Sequence, residues 1–498
     1  MAKPDYVRDE LVKALPVYEL VAACYKGERA VKGRQSYTVQ GVNNGSGGSN
    51  QIALSPYLPN PSPHNEDADV SRRRYDDYIT RAVFYNVTKR TIKAMAGAVF
   101  SKYPTMTLNE LQVLETDVDG GGQSLTQQAK DALTNCLMQG RGGLLADMPV
   151  NTDGVSKAAM AKMQVRPVII HYDSASIINW RYRKVGGILK NSLVVLSESY
   201  VSEDDGYEQK TARQMLVLRL NDANLAESEI LRKDDKGNWQ SLGVNAITDH
   251  SGKQLEDLPF YPYGSVNNDL ELDDVPIYDI AELNIAHLRN SADLEEMLFV
   301  SGQPTLVVSG LTEQWVSEVL ENGIAIGSRS GILLPQGGSA QMLQAAPNSA
   351  LFEAMQEKKV MMQSLGAKLI ETSKVGQSKT ATEEAQDGAE ETSVLSTVAH
   401  NVSDAYTKAL KCCARYMGYD DKALVVTLNT QFNFSKMTPA QLQQLMAIWQ
   451  AGAISFDEMR EALIEDEIAI EENHDTARQI IASEQGALFD NERANDGE

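Results

Sequence analysis

The clearest pattern of hydrophobic and polar positions predicts a long helix from 381 to 417. Its apolar positions recur about every 3.5 residues: Leu395, Val398, Val402, Ala405, Ala409, Cys413 and Tyr416. Thr380-Ala-Thr-Glu383 has the spacing of a capping box, and Gly418 is a typical helix stop. At 1.5 Å per residue the helix would be about 55 Å long, which suggests an element that spans an assembly. Of the adjacent Cys412 and Cys413, we expect one to face a packed surface and the other not.

Two further helices with a small insert between them precede the long helix. The first is predicted from 277 to a stop at Gly302, with Asp273 or Asp274 as its cap. The second runs from Ser349 to Ile370, and a polar loop over 372–379 follows it. The insert should contain a strand, a short helix and a hairpin-like pair: Thr305–Val308, Trp315–Leu320, Ile324–Ile326 and Gly331–Leu334.

The N-terminal part combines a helix, a flexible segment and a basic helix. We predict the first helix from Asp5 to Tyr25 and an extended arm or linker over 41–70, which is rich in Gly, Asn, Ser and Pro. A second helix is predicted from Ser71 to Val99. Its basic residues form either a solvated face or a docking surface for an acidic neighbour or nucleic acid, and both interpretations stay open: Arg72, Arg73, Arg74, Arg81, Lys89, Arg90 and Lys93.

The middle of the chain predicts an α+β domain with an antiparallel sheet. A helix over Leu125–Met138 should end at Gly140. Asp235-Lys-Gly-Asn238 is typical of a hairpin turn before Trp239. The predicted strands are Gly143–Met148, Val165–Tyr172, Ile188–Tyr200, Gln214–Leu220 and Glu229–Arg232.

The C-terminal part predicts a strand and two short helices. The strand covers Leu424–Phe434, and the first helix starts at Pro439. The second helix opens with the capping box Ser455-Phe-Asp-Glu458. Because this second helix is acidic, with Asp457 and Glu461 among its residues, a DNA-reading helix-turn-helix is excluded.

The charge of the chain argues against tight binding along a phosphate backbone. Lys and Arg number 46 and Asp and Glu 68 in 498 residues, which gives a formal net charge of -22. Phosphate contacts depend on clustered cations, although an acidic chain can still enclose a path for nucleic acid. The polar N-terminus lacks a signal-peptide core, and no apolar run is long enough to cross a membrane, so we expect the protein to stay where it is made.

The sequence lacks the local motifs of the common enzyme classes. There is no phosphate-binding loop of the Walker type, no H-E-x-x-H and no G-x-S-x-G, and the six histidines are scattered singly. The four cysteines form no C-x-x-C pair. We therefore predict neither an enzyme nor a cofactor or metal site, although a hydrolase with a site built from distant residues stays open.

The order helix, small β insert, helix, polar loop, long capped helix resembles the portal proteins of tailed bacteriophages. Ser378-Lys-Thr-Ala-Thr-Glu-Glu384 is similar to the Thr-Ala-Thr-Glu signature at the start of the long helix in many portals. The stretches Tyr75 to Pro104, Leu258 to Pro262 and Leu283 to Asp293 resemble a portal-like subgroup known mainly as a domain of unknown function. The resemblance covers roughly residues 70–470.

The resemblance implies an α+β portal fold and a role for each segment. After an N-terminal helix and arm (1–70) come a wing (71–275), a stem helix (276–300), a clip (301–347), a second stem helix (348–371), a channel loop (372–379), a long channel helix (380–418), a wing return strand (419–437), a crown (438–470) and a tail (471–498). The DNA-facing loop residues would be Ser373, Lys374, Val375, Gly376, Gln377 and Lys379. The clip residues that contact the motor or adaptor would be Trp315, Glu318, Asn322 and Arg329.

The acids at the start of the long helix have two interpretations that the sequence leaves open. They either offset the helix macrodipole or form a negatively charged inner wall of the channel: Glu383, Glu384, Asp387, Glu390 and Glu391. Under the resemblance, the protein would form a homo-oligomer, commonly a 12-mer ring, at one capsid vertex of the virion after assembly in the host cytoplasm. Double-stranded DNA would pass through it, and its partners would be the terminase motor, a tail adaptor and the major capsid protein, with no membrane. The alternative is another acidic structural assembly protein of a virion, such as a capsid or scaffold component.

Overall fold

The structure is a computed structural model, and it divides the chain into two compact units, Met1–Thr430 and Gln431–Glu498. The residues that it describes are 3–33, 35–38, 51–61, 68–148, 165–302, 305–310, 312–315, 317, 334, 336–343, 349–369, 393–432, 439–465, 468–469 and 473–481. Helices and antiparallel sheets alternate along these ranges, which confirms the α+β class.

The helices of the first unit are α1 (Asp9–Lys26), α2 (Glu28–Val31), α3 (Ala68–Arg81), α4 (Val87–Val99), α5 (Val113–Thr116), α6 (Leu125–Gln139), α7 (Tyr278–Ser301), α8 (Glu313–Trp315), α9 (Ser349–Lys368) and α10 (Val394–Met417). Its strands are β1 (Gln35–Thr38), β2 (Gln51–Leu54), β3 (Thr105–Thr107), β4 (Arg141–Asp147), β5 (Val168–Asp173), β6 (Ile177–Val185), β7 (Ile188–Asp204), β8 (Gln209–Leu220), β9 (Ala226–Lys233), β10 (Trp239–Ala246), β11 (Phe260–Gly264), β12 (Thr305–Ser309), β13 (Ser339–Leu343) and β14 (Val425–Thr427).

The predicted antiparallel sheet is present as two larger sheets. One has the order β10-β9-β8-β7-β6, and the other has the order β11-β4-β5; three two-stranded pairs are β1-β2, β12-β13 and β14-β3. The hairpin turn before Trp239 is confirmed, because the Asp234 N–H donates to the Asn238 carbonyl at 2.9 Å. The sequence analysis missed β1, β2, β3, β6, β11 and β13.

Helix α10 forms the centre of the first unit, and every position of its predicted apolar period is buried. Tyr406 donates to Gln128 Oε1 at 3.0 Å, which ties the helix to α6. The Asn401 side-chain amide donates to the Gly264 carbonyl at 2.8 Å, which ties it to β11. Because α10 is covered on more than one side, Cys412 and Cys413 are both buried, and the expectation that one faces away is wrong.

The prediction of one continuous helix from 381 to 417 is wrong. Ser393 has extended backbone angles (φ -61°, ψ 150°), and its hydroxyl accepts from the Ser396 N–H at 3.2 Å, so it is the N-cap of α10. The 24 residues of α10 span about 36 Å at 1.5 Å per residue. The predicted capping box at Thr380–Glu383 lies outside the described residues.

The predicted basic helix over 71–99 is two helices with a break at 82–86. Asn86 caps the second one, α4, by accepting from the Lys89 N–H at 2.9 Å. At the break, the Val83 N–H donates to the Ser291 hydroxyl of α7 at 3.2 Å. Contacts from a distant helix therefore replace the hydrogen bonds that a continuous helix would have made within itself.

The segment 41–70 is not an extended linker throughout. Strand β2 pairs with β1, and the Tyr75 hydroxyl donates to the Leu58 carbonyl at 2.6 Å. The Ser55 N–H in turn donates to the Tyr75 hydroxyl at 2.8 Å, and Leu58 is fully buried. Residues 39–50 and 62–67 lie outside the described residues.

The ring of Trp180 in β6 lies between two arginines, and this arrangement attaches α1 to the five-stranded sheet. The guanidinium carbons of Arg8 and Arg141 lie 4.3 and 4.2 Å from the ring centroid. The Arg8 N–H also donates to the Ile178 carbonyl at 3.0 Å, so α1 begins at Asp9, later than predicted. Arg141 is fully buried, which lowers its pKa to about 10, and it donates to the carbonyls of Ser174, Ile177 and Leu270.

The second unit contains α11 (Pro439–Gln450), α12 (Phe456–Glu465) and a further helix over 474–481. The capping box predicted for α12 is confirmed in both directions. The Glu458 N–H donates to the Ser455 hydroxyl at 3.1 Å, and the Ser455 N–H donates to the Glu458 carboxylate at 2.7 Å. The Trp449 and Phe456 rings pack together with centroids 6.3 Å apart.

Candidate functional surface

The helix pair α7 and α9 is the part of the fold that the sequence analysis connects with function. The start of α7 differs from the prediction, because neither Asp273 nor Asp274 caps this helix. The residue before the helix is Ile277, which provides no side-chain cap. Asp273 instead accepts from the Val266 N–H at 2.8 Å and so closes the loop that follows β11.

Asn284 joins the root of α7 to the break between α3 and α4. Its side-chain oxygen accepts from the N–H groups of Val87 and Thr88 at 3.1 and 3.2 Å and from the Thr88 hydroxyl at 3.0 Å. Its amide donates to the Tyr85 carbonyl at 2.8 Å. Asn284 is fully buried, so these four bonds satisfy a polar group that would otherwise be costly to bury.

Contacts with α3 hold the next two turns of α7. The Tyr78 hydroxyl donates to the Asp293 carboxylate at 2.7 Å. The Glu296 carboxylate accepts from Arg81 at 2.5 Å and lies 3.6 Å from Arg74. Burial and the hydrogen bond to the Asp293 carboxylate raise the pKa of Tyr78 above its usual range. Part of the predicted basic face of α3 is therefore paired within the chain.

The far end of α7 and much of α9 expose apolar side chains, which we call the apolar strip. Its members are each about half exposed: Leu298, Phe299, Val300, Phe352, Val360 and Met361. Beyond it, the β12-β13 ribbon exposes Val307 and Met342. Several exposed apolar side chains on one helix pair mark a candidate interaction site.

A group of cations surrounds Tyr85 at the root of the helix pair. The Arg90 guanidinium carbon and the Lys359 ammonium nitrogen each lie 5.4 Å from the Tyr85 ring centroid. The His287 ring lies 6.1 Å from the same ring, and its pKa is lowered by burial and by Lys358 and Lys359. The sequence analysis did not bring these residues together, because they come from three separate segments.

The structure tests few of the predicted site residues. The channel-loop residues, Ser373 to Lys379, and the acidic residues, Glu383 to Glu391, lie outside the described residues. The flanks of that segment are described: the Leu395 N–H donates to the Leu369 carbonyl at 3.3 Å. Residues 370–392 therefore begin and end at one point of the fold.

The predicted insert is described only in part. Strand β12 confirms the predicted Thr305–Val308, and it pairs with the unpredicted β13. Trp315 is the last residue of the short helix α8. The predicted contact residues Glu318, Asn322 and Arg329 lie outside the described residues, as does the predicted pair Ile324–Ile326 and Gly331–Leu333.

The most consequential residue that the sequence analysis passed over is Asn284. A signal was present, since Asn284 occupies a position on the apolar stripe of α7 with Ile280, Leu288 and Ala292. A polar residue on such a stripe predicts a buried hydrogen-bonding role, although its partners cannot be identified from spacing.

Two other kinds of site are absent from the described ranges. No helix there combines the length and apolar character needed to cross a membrane. In the same ranges, no three side chains of His, Cys, Asp or Glu come together in a group that could hold a metal ion.

Comparisons with known proteins find one family and distant structural likenesses. The model of a domain of unknown function, DUF4055, matches residues 276–417, from the approach to α7 to the end of α10. No curated protein matches the chain. A chain in the neck of an empty gene transfer agent particle, computed with C6 symmetry, is 17% identical; the alignment covers 80% of this chain and 94% of that one, with a TM-score of 0.41. A chain of the virion of the native gene transfer agent particle is 16% identical, with 78% and 92% covered and a TM-score of 0.39. Likenesses at this level do not support an inference about function.

Proposed function

We propose that the chain is a portal protein, which forms a ring at one capsid vertex and conducts double-stranded DNA during packaging and ejection. The observation that carries this proposal is the helix pair α7 and α9, which exposes the apolar strip and leads through Leu369 and Leu395 into the buried α10. In the proposed arrangement α7 and α9 are the stem, 301–347 is the clip, and 372–379 is the channel loop. The pairing of β14 with β3 supports the assignment of 419–437 as a return to the wing.

The occupant of the apolar strip is a second copy of this chain. Leu298, Phe299 and Val300 are consecutive and all about half exposed. Because successive residues of an α-helix are about 100° apart, these three side chains cover more than half of the circumference of α7. Such a helix needs neighbours on two sides. A head-to-tail ring provides two neighbours for every copy, whereas a two-fold dimer provides one.

The charge of the chain fits a conduit for a polyanion. A ring of twelve copies would carry 12 × -22 = -264 formal charges. A wall of that sign repels DNA evenly, since Lys and Arg contacts with phosphates would retain it. In this proposal Glu383 and its acidic neighbours form the inner wall, and Lys374 and Lys379 make weak contacts with the moving DNA. The clip contacts the terminase motor and later the tail adaptor through Trp315, Glu318, Asn322 and Arg329.

The test is the oligomeric state of the purified full-length chain. Electron microscopy and native mass spectrometry should show closed rings with an axial channel. The variants Val360→Glu and Phe352→Glu should shift the protein to monomers, because each places a charge in the stem contact. The matched control is Leu189→Glu, which changes an exposed apolar residue at the start of β7 and should leave the rings intact. A wild-type chain that stays monomeric at all concentrations would contradict the proposal.

A further inference from the structure

Three segments place cations around Tyr85, and we call this group the Tyr85 cluster: Tyr85, Arg90, His287, Lys358 and Lys359. Tyr85 belongs to the break between α3 and α4, Arg90 to α4, His287 to α7, and the two lysines to α9. Tyr85, Lys358 and Lys359 are half-buried, and Arg90 is exposed. The cluster thus places three cationic side chains and a buried imidazole around one ring at the root of the helix pair.

No carboxylate of the described residues forms an ion pair with Arg90, Lys358 or Lys359. This is unusual for a chain in which acids outnumber bases by 68 to 46. Elsewhere in the fold, Arg81 pairs with Glu296, and Arg219 pairs with Glu229 at 2.8 Å. A cluster of cations that the chain does not neutralise favours a counter-charge from outside the chain.

His287 supplies an independent observation. It is only 6% exposed, and its Nδ1 has no hydrogen-bond partner among the described residues. An unpaired buried nitrogen is unfavourable unless a ligand completes its hydrogen bond. Lys358 and Lys359 oppose protonation of this imidazole, so an acceptor that also carries negative charge would satisfy both the nitrogen and the two ammonium groups.

We propose that the Tyr85 cluster binds an oxyanion of the phosphate class. A tetrahedral dianion offers several acceptor oxygens for His287 and the lysines beside it, and it balances more of the charge of the cluster than one carboxylate could. The phosphate is either free in solution or part of a nucleic-acid backbone. Because His287 is only 6% exposed, the bound group must protrude from its carrier. The site does not depend on ring formation or on DNA conduction.

Calorimetric titration of the full-length chain with inorganic phosphate tests the proposal. We expect saturable binding that weakens at least tenfold in Lys359→Gln and in Arg90→Gln. The controls are Lys368→Gln on α9 and Lys93→Gln on α4, two exposed lysines outside the cluster, which should bind as the wild type does. Absence of saturable binding at millimolar phosphate, or an equal loss in the controls, would overturn the proposal.

A competition experiment identifies the source of the phosphate. A DNA duplex that competes with inorganic phosphate for the wild type, and does so less for Lys359→Gln, indicates a backbone phosphate. Binding of inorganic phosphate without such competition indicates the free anion. Either result supports the site.

The NMR titration of the His287 ring provides a readout that a purely structural role would not move. A bound anion offsets the effect of Lys358 and Lys359, so phosphate should raise the pKa of His287. Sulfate, which stays a dianion throughout this pH range, should act in the same direction. A His287 titration that neither anion changes would contradict the assignment.

Discussion

The Leu395 N–H donates a hydrogen bond to the carbonyl oxygen of Leu369 across a gap of 25 residues in sequence. Leu369 directly follows α9, and Leu395 lies in the first turn of α10. The two flanks of the segment that carries the predicted channel loop and acidic wall are therefore hydrogen-bonded to each other. We therefore expect the rest of the first unit to fold without this segment.

Removal of residues 372–390 with a short Gly-Ser bridge should preserve the fold. The two flanks of the segment already meet. Shortening the segment between them to about a quarter of its length should reduce the entropic cost of closing the loop by about 1.2 kcal/mol. Thermal unfolding followed by circular dichroism should show an unchanged or slightly higher Tm. A matched control keeps the length and replaces these residues with Gly and Ser. A shortened chain that unfolds much earlier than this control would show that the segment supports the core.

Asn284→Ala should lower the free energy of unfolding by about 3–5 kcal/mol. The change removes the buried acceptor of the Thr88 N–H and hydroxyl, and it leaves the Val87 N–H and the Tyr85 carbonyl with only the bond to each other. Urea unfolding measures the loss. Glu282→Ala, on the exposed face of the same helix, is the control and should change stability by less than about 0.5 kcal/mol. Equal effects of the two changes would contradict the role assigned to Asn284.

Two glycines should respond in opposite directions to the same substitution. A Cβ at Gly143 in β4 would overlap the buried Phe260 ring, so Gly143→Ala should destabilise the chain by about 3 kcal/mol. A Cβ at Gly97 in α4 meets nothing within 4 Å, so Gly97→Ala should stabilise by about 0.5–1 kcal/mol. Thermal unfolding of both variants is compared with that of the wild type, and a Gly143→Ala variant that is not destabilised would contradict the packing of β11 on β4.

His171 should contribute to the loss of stability in mild acid. Burial lowers its pKa below the ordinary 6.5, and its ring lies 2.5 Å from the Tyr263 hydroxyl. Below pH 6.5 the unfolded chain therefore takes up a proton that the folded chain resists, so stability falls as the pH falls. In His171→Gln, the slope of unfolding free energy between pH 7 and 5 should be smaller than in the wild type. The exposed His400→Gln serves as the control, and it should retain the wild-type slope.

Reversal of charge on the proposed inner wall should separate assembly from DNA passage. Replacing Glu383, Glu384, Asp387, Glu390 and Glu391 with Lys should permit rings, because the apolar strip is unchanged, yet stall packaging or ejection. Electron microscopy counts the rings, and the DNA content of particles measures packaging. Replacing the same residues with Gln is the control and should impair passage less. Normal filled particles from the Lys variant would refute the acidic wall.

The sequence predicted the elements whose determinants are local. The core stripe of α10 follows one helical period, and the capping box at Ser455 and Glu458 involves residues three apart. The break at 82–86 escaped prediction, because Asn284 and Ser291, about 200 residues away, supply its hydrogen bonds. The sequence analysis placed the cap of the long helix at Thr380, whereas the structure has Ser393 as the N-cap of α10. The Tyr85 cluster could not be predicted, because spacing does not reveal that α4, α7 and α9 converge.

The four hydrogen bonds of Asn284 make the root of α7 a stiff joint rather than a hinge. A tilt of the helix pair cannot be absorbed there without breaking buried hydrogen bonds, so it must displace the ends of α3 and α4 together. The helix pair would thus act as a lever, and a load applied at its far end would be transmitted to α3 and α4 of the same subunit.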